Sequence, residues 1–419
     1  MILRQGKEES EKGKVAGVAQ PASFLTRSPL HDPQRLISFF FLLSPFLCLT
    51  PASANPWNIP APDLPARAFV LIEVQSGTEL AAVNADMRLP PASLTKLMTA
   101  YLLFGDLRAG KLKLDEVVTV SRYAARLPGA RMFLREGDQV PVEELFKGML
   151  VQSGNDATVA LIEQASGTLP LFVARMNAMA AELGLANTHF ANATGLDNPQ
   201  HYSSARDLTR LAVALKRDFP EYAGWFALKE YGWAGIVQPN RNRLLRDPGV
   251  DGLKTGHIET AGYCLVASAQ RDGMHLIATL LGTDSEQDRA RSGRRLLDFG
   301  FRQFETRLLY RSGAPVATLP VWQGEADAVA LGVSRDAWIT LPRGGFTAFS
   351  AQAALPQTRL APVLHGETLG RLEFMHNGQA LAELPLVALA TVPEGSLAKR
   401  TTDRLRLWFR EQGLVQAAP

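Results

Sequence analysis

Pro91-Ala92-Ser93-Leu94-Thr95-Lys96-Leu97-Met98-Thr99 opens a stretch in which Leu94, Leu97, Met98, Tyr101 and Leu102 recur at spacings of three and four. That periodicity predicts a buried helix, led in by Pro90-Pro91-Ala92. It places Ser93 at the helix start and Lys96 one turn later on the same face. A serine hydroxyl is a weak nucleophile near neutral pH and needs a base within hydrogen-bond reach. Lys96 meets the geometric demand only if its usual pKa of about 10.4 is lowered, which amounts to roughly 4–5 kcal/mol of differential stabilisation. Burial and a second nearby cation supply shifts of that order. In isolation Ser93 reads equally well as a plain helix N-cap, so the flanking sequence has to decide.

Upstream, Ala68-Phe69-Val70-Leu71-Ile72-Glu73-Val74 reads as a buried strand, Gln75-Ser76-Gly77-Thr78 as a turn, and Glu79-Leu80-Ala81-Ala82-Val83 as the second strand of a hairpin. Downstream, residues 143–215 are mostly helical by pattern, with helices expected over 143–150, 157–165 and 171–183. From Val250 the pattern turns to strands at 252–255, 262–270 and 275–281, followed by an amphipathic helix over 289–299. A hairpin, a helical block, three more strands and a closing helix predict an α/β sandwich built on an antiparallel sheet.

Two further short motifs lie in this frame: Ser153-Gly154-Asn155 between predicted helices, and Lys254-Thr255-Gly256 within a predicted strand. S-x-x-K, S-x-N and K-T-G in that order form the set of active-site serine enzymes that act on penicillin and cell-wall peptides. With Pro91 to Thr99, Ser153-Gly154-Asn155-Asp156-Ala157, Asn240-Arg241-Asn242 and Val250 to His257, the chain resembles the D-alanyl-D-alanine carboxypeptidases, the low-molecular-mass penicillin-binding proteins. The likeness is strong over residues 65–305 and one of layout beyond. It implies the penicillin-binding/β-lactamase-like transpeptidase fold followed by a small all-β domain.

The resemblance also implies roles. Ser93 would be acylated, with Lys96 as its base. Ser153 would relay a proton to the leaving amine, and Asn155 would hold the substrate amide and position Lys96. Lys254 and Thr255 would bind the terminal carboxylate, and Lys254 is also the second cation expected near Lys96. Gly256 would let the edge strand approach the substrate closely, and His257 would lend its backbone N–H, with that of Ser93, to an oxyanion hole. No Asp or Glu is spaced to orient the His257 ring. Two departures matter: Ile258 stands where many relatives carry a hydroxyl, and the segment after Leu281-Gly282-Thr283 is unlike the family, so no substrate-binding arginine is assigned there.

The expected activity is removal of the terminal D-alanine from peptidoglycan stem peptides through an acyl-enzyme, with β-lactam antibiotics as covalent ligands. A D,D-endopeptidase remains an alternative, because the motifs fix the chemistry and not the peptide cut. A class A β-lactamase fits less well: position 154 is Gly rather than Asp, and Glu182 to Leu185 runs into Ala186 where E-x-x-L-N is needed. A non-catalytic penicillin sensor is disfavoured by the intact Lys96 and Ser153. His189, His201, His275, His365 and His376 show no metal-ligand spacing, and no glycine-rich phosphate loop occurs, so no metal and no cofactor is expected.

With 419 residues the chain exceeds one ordinary core and predicts two domains plus appendages. A hydrophobic share of 46%, a charged share of 20% and a net charge of +3 describe a soluble globular protein with no call for a nucleic-acid partner. Residues 1–54 read as an N-terminal extension and secretory signal peptide: an apolar run over 36–49, Arg27 and Arg35 upstream, and Ala52-Ser53-Ala54 as the cleavage site. Cys48 would leave with it, and Cys264 in Tyr263-Cys264-Leu265-Val266-Ala267 reads as a core residue.

The D,D-peptidase domain is then expected over 55–305 and the β-domain over 306–395. Residues 396–419 read as an amphipathic helix: Leu397, Thr401, Leu405, Trp408 and Phe409 share one face, and five basic residues lie around the rest. That pattern suits the inner-membrane surface, reached from the periplasm. The alternative is a helix packed on its own β-domain.

Overall fold

In the computed structural model, Trp57 and residues 59–411 are described. The signal-peptide reading of residues 1–54, Cys48 and the last eight residues of the tail lie outside them.

The first half of the fold runs β1 (Ala68–Glu73), β2 (Glu79–Val83), a 3₁₀ turn (Ala92–Thr95), α1 (Lys96–Arg108), β3 (Val117–Thr119), α2 (Arg122–Ala125), β4 (Gln139–Pro141), α3 (Val142–Val151), α4 (Asn155–Ser166), α5 (Leu169–Glu182), α6 (Ala205–Asp218) and α7 (Ala223–Phe226). A small hairpin, β5 (Glu230–Trp233) and β6 (Ile236–Pro239), precedes β7 (Val250–Ile258), β8 (Gly262–Arg271), β9 (Met274–Thr283) and α8 (Glu286–Gln303). One antiparallel sheet, ordered β2-β1-β9-β8-β7, carries the unit.

The side chains of β8 are buried on both faces and sort by the two-residue period of a strand. Cys264 and Val266 enter the larger core with α1, α3, α4 and α6, whereas Leu265 and Ala267 pack with Leu296 and Leu297 of α8. Burial holds the Cys264 thiol up at about 11, as suits an inert core residue. Ser204 and Ser285 cap α6 and α8, each accepting from the N–H three residues on. β7 is one edge strand of the sheet, and it lies against the 3₁₀ turn that carries Ser93.

The chain runs directly from α8 into β10 (Phe304–Tyr310), then β11 (Pro315–Trp322), β12 (Ala328–Val333), β13 (Ala337–Pro342), β14 (Phe349–Ala354), β15 (Arg359–Leu360), β16 (Thr368–His376) and β17 (Gln379–Ala388). A six-stranded sheet and the β10–β13 pair enclose a separate core that includes Leu319, Leu331, Phe374 and Leu386.

Polar groups clasp this part to the catalytic sheet. The buried Glu73 carboxylate accepts from the N–H and hydroxyl of Ser76, both at 2.7 Å. Ser76 Oγ in turn meets Thr340 Oγ1 of β13 at 2.7 Å, and Thr340 meets Thr306 at 2.8 Å. The last helix, α9 (Leu397–Glu411), docks through the buried Asp403, which accepts from the Gln323 N–H at 2.8 Å. Leu405, Trp408 and Phe409 on it remain 54%, 51% and 40% exposed. Among the described residues no single helix is long and apolar enough to cross a membrane.

Candidate active site

Three segments close around Ser93. Ala92, just before it, has φ +48°, and Ser153 has φ +64°, both in the left-handed region that costs a residue with a Cβ. Gly195, at φ +85°, lies so close that a Cβ there would stand 1.9 Å from the Ala92 carbonyl oxygen. A Cβ on Gly256 of β7 would stand 3.0 Å from Pro91 O and 3.1 Å from Ser93 N. Glycine is therefore required at 195, and a side chain at 256 would have to push the turn by a few tenths of an ångström. A cavity of about 300 Å³ opens here, lined by Ser93, Ser153, Asn155, Thr255, Arg241 and Arg289 among others.

Lys96 is fully buried below Ser93. Its Nζ has three neighbours: Asn155 Oδ1 at 2.7 Å, Thr194 O at 2.7 Å and Ser93 Oγ at 3.2 Å. The Asn155 amide is fixed in orientation because its Nδ2 donates to Pro128 O at 2.7 Å. Two of the three neighbours can only accept, and a neutral amine has two N–H groups to give them. Its lone pair then faces the one neighbour that can donate, the Ser93 hydroxyl. Burial, and after it the Arg241 cation, bring Lys96 down to about 7, with Asp156 pulling the other way. Arg241 thus acts on Lys96 beside the expected Lys254, because the repulsion between the two buried lysines is mutual. Lys254, also fully buried, is itself held well below the lysine range by burial and by the charges of Lys96, Arg241 and Arg289.

Ser153 lines the cavity, yet its buried hydroxyl has no hydrogen-bond partner among the described residues, and Lys96 turns to Thr194 O instead. Lys254 Nζ donates to Thr255 O at 3.0 Å. The His257 ring is exposed and stacks on Tyr263 at 4.0 Å, and His257 also lines the cavity. Arg289 lies over the other reach of that stack, 5.6 Å from the Tyr263 ring centre, and donates to Arg241 O at 3.1 Å.

Arg241 and Arg289 are the functional candidates that sequence reasoning leaves without a role. The paired asparagines flanking Arg241 are the available signal. Asn240 is tied to Leu228 O and Asn242 to Gly252 O, each at 3.0 Å, so the arginine between them is held on a pinned loop.

A second layer fixes the turn itself. His201 Nδ1 accepts from the Ala191 N–H at 3.1 Å, which leaves the proton on Nε2. Nε2 donates to Thr95 Oγ1 at 2.7 Å, and Thr95 donates to Ala92 O at 2.7 Å. The Asn192 side-chain oxygen gathers the N–H groups of Thr194, Gly195 and Leu196, which aims the Thr194 carbonyl at Lys96.

A serine whose hydroxyl faces a buried lysine, beside a cavity walled by an edge strand and two arginines, is an arrangement suited to serine acyl transfer. The D-alanyl-D-alanine carboxypeptidase family model matches residues 55–285, and that of the penicillin-binding protein 5 C-terminal domain matches residues 304–394. D-alanyl-D-alanine carboxypeptidase DacA of Escherichia coli K12 is 41% identical over 357 residues, covering 83% of this chain and 89% of its own. DacC of the same strain is 40% identical over 383 residues, covering 89% and 94%. Penicillin-binding protein 5 from Haemophilus influenzae superposes with a TM-score of 0.77 at 38% identity, covering 80% of this chain and all of that one. Penicillin-binding protein D2 of Listeria monocytogenes, in an ampicillin-bound form, covers 58% of this chain and all of its own at a TM-score of 0.54 and 31% identity. The chain belongs to the D-alanyl-D-alanine carboxypeptidase family, and it is a serine-type peptidase of that activity.

Proposed function

We propose that this chain cleaves the terminal D-alanine from peptidoglycan stem peptides with Ser93 as nucleophile and Lys96 as base. The single observation that carries the reading is the environment of Lys96: buried, near 7, its two N–H groups committed to Asn155 and Thr194 and its lone pair facing Ser93.

The Ser93 proton passes to Lys96 Nζ while Oγ attacks the carbonyl of the penultimate residue. The tetrahedral oxyanion lies toward the backbone N–H groups of Ser93 and His257. Collapse breaks the C–N bond, and the proton travels from Lys96 by way of the Ser153 hydroxyl, whose lack of a protein partner suits a relay, to the departing amine. Water, deprotonated by the same lysine, then frees the acyl group and restores Ser93. Thr255, Lys254 and the two arginines receive the free carboxylate, whose arrival favours protonated Lys254. A β-lactam enters the same course and stops at the acyl-enzyme; the ampicillin-bound relative supports that part.

Residues 1–54 direct export and are removed, and α9 rests on the membrane surface by its exposed apolar side chains while Asp403 holds it to the β-domain. The test is Ser93→Ala, assayed for labelling by a fluorescent penicillin and for D-alanine release. Both are expected to vanish, and labelling that persists on another serine overturns the assignment.

A further inference from the structure

A second cavity, of about 490 Å³, adjoins the first and shares Arg241 with it. Its wall carries Lys229, Arg241, Arg243 and Arg246 against a single carboxylate, Glu286. Glu286 is already divided between Arg243, at 3.0 Å, and Arg289, at 3.4 Å. Among the described residues Lys229, Arg241 and Arg246 make no ion pair. Four cations gathered in a concave wall with one shared counter-charge focus a positive potential, in a chain whose overall charge is only +3.

The wall is also built. Asn240 accepts from the Asn242 N–H at 2.9 Å, Asn242 is 3% exposed and accepts from the Leu244 N–H at 3.2 Å, and the asparagine ties to Leu228 and Gly252 described above pin the loop at both ends. The backbone that carries the arginines is therefore fixed in advance, so an anion has only their exposed side chains to order.

We infer that this cavity is a second anion subsite for leaving groups that bear a further carboxylate. The inference rests on the reading that the α-carboxylate of the leaving residue sits beside Thr255 and Arg241. Held there, the leaving residue stands where the two cavities meet, and whatever else it carries reaches Arg243 and Arg246. A terminal alanine has only a methyl group to offer. A leaving residue with an acidic side chain, or the diamino-acid arm of a cross-linked stem peptide with its second carboxylate, fills the subsite. The bond broken is the same amide and the reaction is the same hydrolysis. Only the choice of leaving group changes.

The experiment compares three synthetic N-acylated tripeptides ending in D-Ala–D-Ala, D-Ala–D-Gln and D-Ala–D-Glu, using the full chain and the double variant R243Q/R246Q. D-Gln matches D-Glu in shape and removes the charge. The wild type is expected to favour D-Glu over D-Gln by about five- to tenfold in kcat/KM, mostly through KM, as two partly exposed ion pairs would give. The preference is expected to shrink with salt and to disappear in R243Q/R246Q, while hydrolysis of D-Ala–D-Ala stays within twofold.

Equal rates on D-Glu and D-Gln in the wild type, or a preference that survives in the variant, overturn the subsite. Loss of D-Ala–D-Ala hydrolysis in R243Q/R246Q, with an unchanged melting temperature, also overturns it, because the arginines would then serve the primary carboxylate. Failure of Ser93→Ala to abolish hydrolysis would instead break the reading of the primary site. A purified cross-linked dimer run in parallel identifies the source: cleavage of it that falls with the variant assigns the subsite to cross-link arms, and cleavage of D-Glu peptides alone assigns it to acidic chain ends.

Discussion

The His201 ring and the Thr95 hydroxyl meet at 2.7 Å beneath the strained turn, and Thr95 passes the contact on to Ala92 O. Ala92 is the residue that sets the direction in which Ser93 enters the cavity, and its φ of +48° persists only because its surroundings hold it. Thr95→Val keeps the shape of the side chain and removes the link. It is expected to lower the rate of acylation by a fluorescent penicillin about tenfold, with binding of the unreacted drug little changed. Thr95→Ser, which restores the hydroxyl, should recover most of that rate.

Burial holds both His201 and His275 down to about 4, against about 6.5 for a free histidine. Between those values the unfolded chain binds protons that the folded chain refuses, so stability rises with pH across the window. Each ring's contribution is complete above about 6.5 and is lost as pH falls toward 4, on the order of 3 kcal/mol apiece. Melting temperatures from pH 7 to pH 4 should drop steeply for the wild type and less so for His275→Asn. Parallel curves for the two proteins would remove His275 from the account.

The rate of penicillin acylation should rise with pH through a limb near 7, where Lys96 gives up its proton. Arg241 is the cation that helps to lower Lys96, so Arg241→Gln should move the limb toward higher pH. A limb that stays in place would mean that Arg241 does not help to set the base.

Gly195→Ala is expected to be among the most damaging single substitutions. Its Cβ would overlap the Ala92 carbonyl, and φ +85° is strained for any side chain. A loss of about 3 kcal/mol or more in stability is expected, or acylation abolished in a folded protein if the turn moves instead. Thermal melting and penicillin labelling together separate the two.

For α9, replacing Leu405, Trp408 and Phe409 by Ser removes exposed apolar surface and leaves the Asp403 tie to Gln323 untouched. Co-sedimentation with vesicles containing anionic lipid should fall, while hydrolysis of a small peptide is unchanged. Equal sedimentation of the two proteins would end the membrane reading.

The fold was legible where the apolar pattern is clean: the spacing after Ser93, the unbroken apolar run of β8 and the amphipathic α8. The β16–β17 hairpin escaped notice, because Gly370, Pro385 and many exposed positions blur its two-residue period. At the site, side-chain motifs led to Ser93, Lys96 and Asn155. What they did not lead to are contacts that depend on how distant segments meet. A backbone carbonyl such as Thr194 O has no signature in sequence, and His201 lies 106 residues from Thr95. Arg241 stood in a quoted run of family-like sequence, but its reach into two cavities follows only from the loop that Asn240 and Asn242 pin.

The clasp between Ser76 and Thr340 has a consequence for geometry on the scale of the cell wall. It joins the tip of the first hairpin to β13, whose Thr340 also meets Thr306 of β10, so a side-chain contact supplements the direct run of α8 into β10. Were α9 to rest on a bilayer as proposed, the distance from lipid to Ser93 would be set by the fold. An enzyme so placed would work as a depth gauge, reaching stem peptides at one standoff from the membrane.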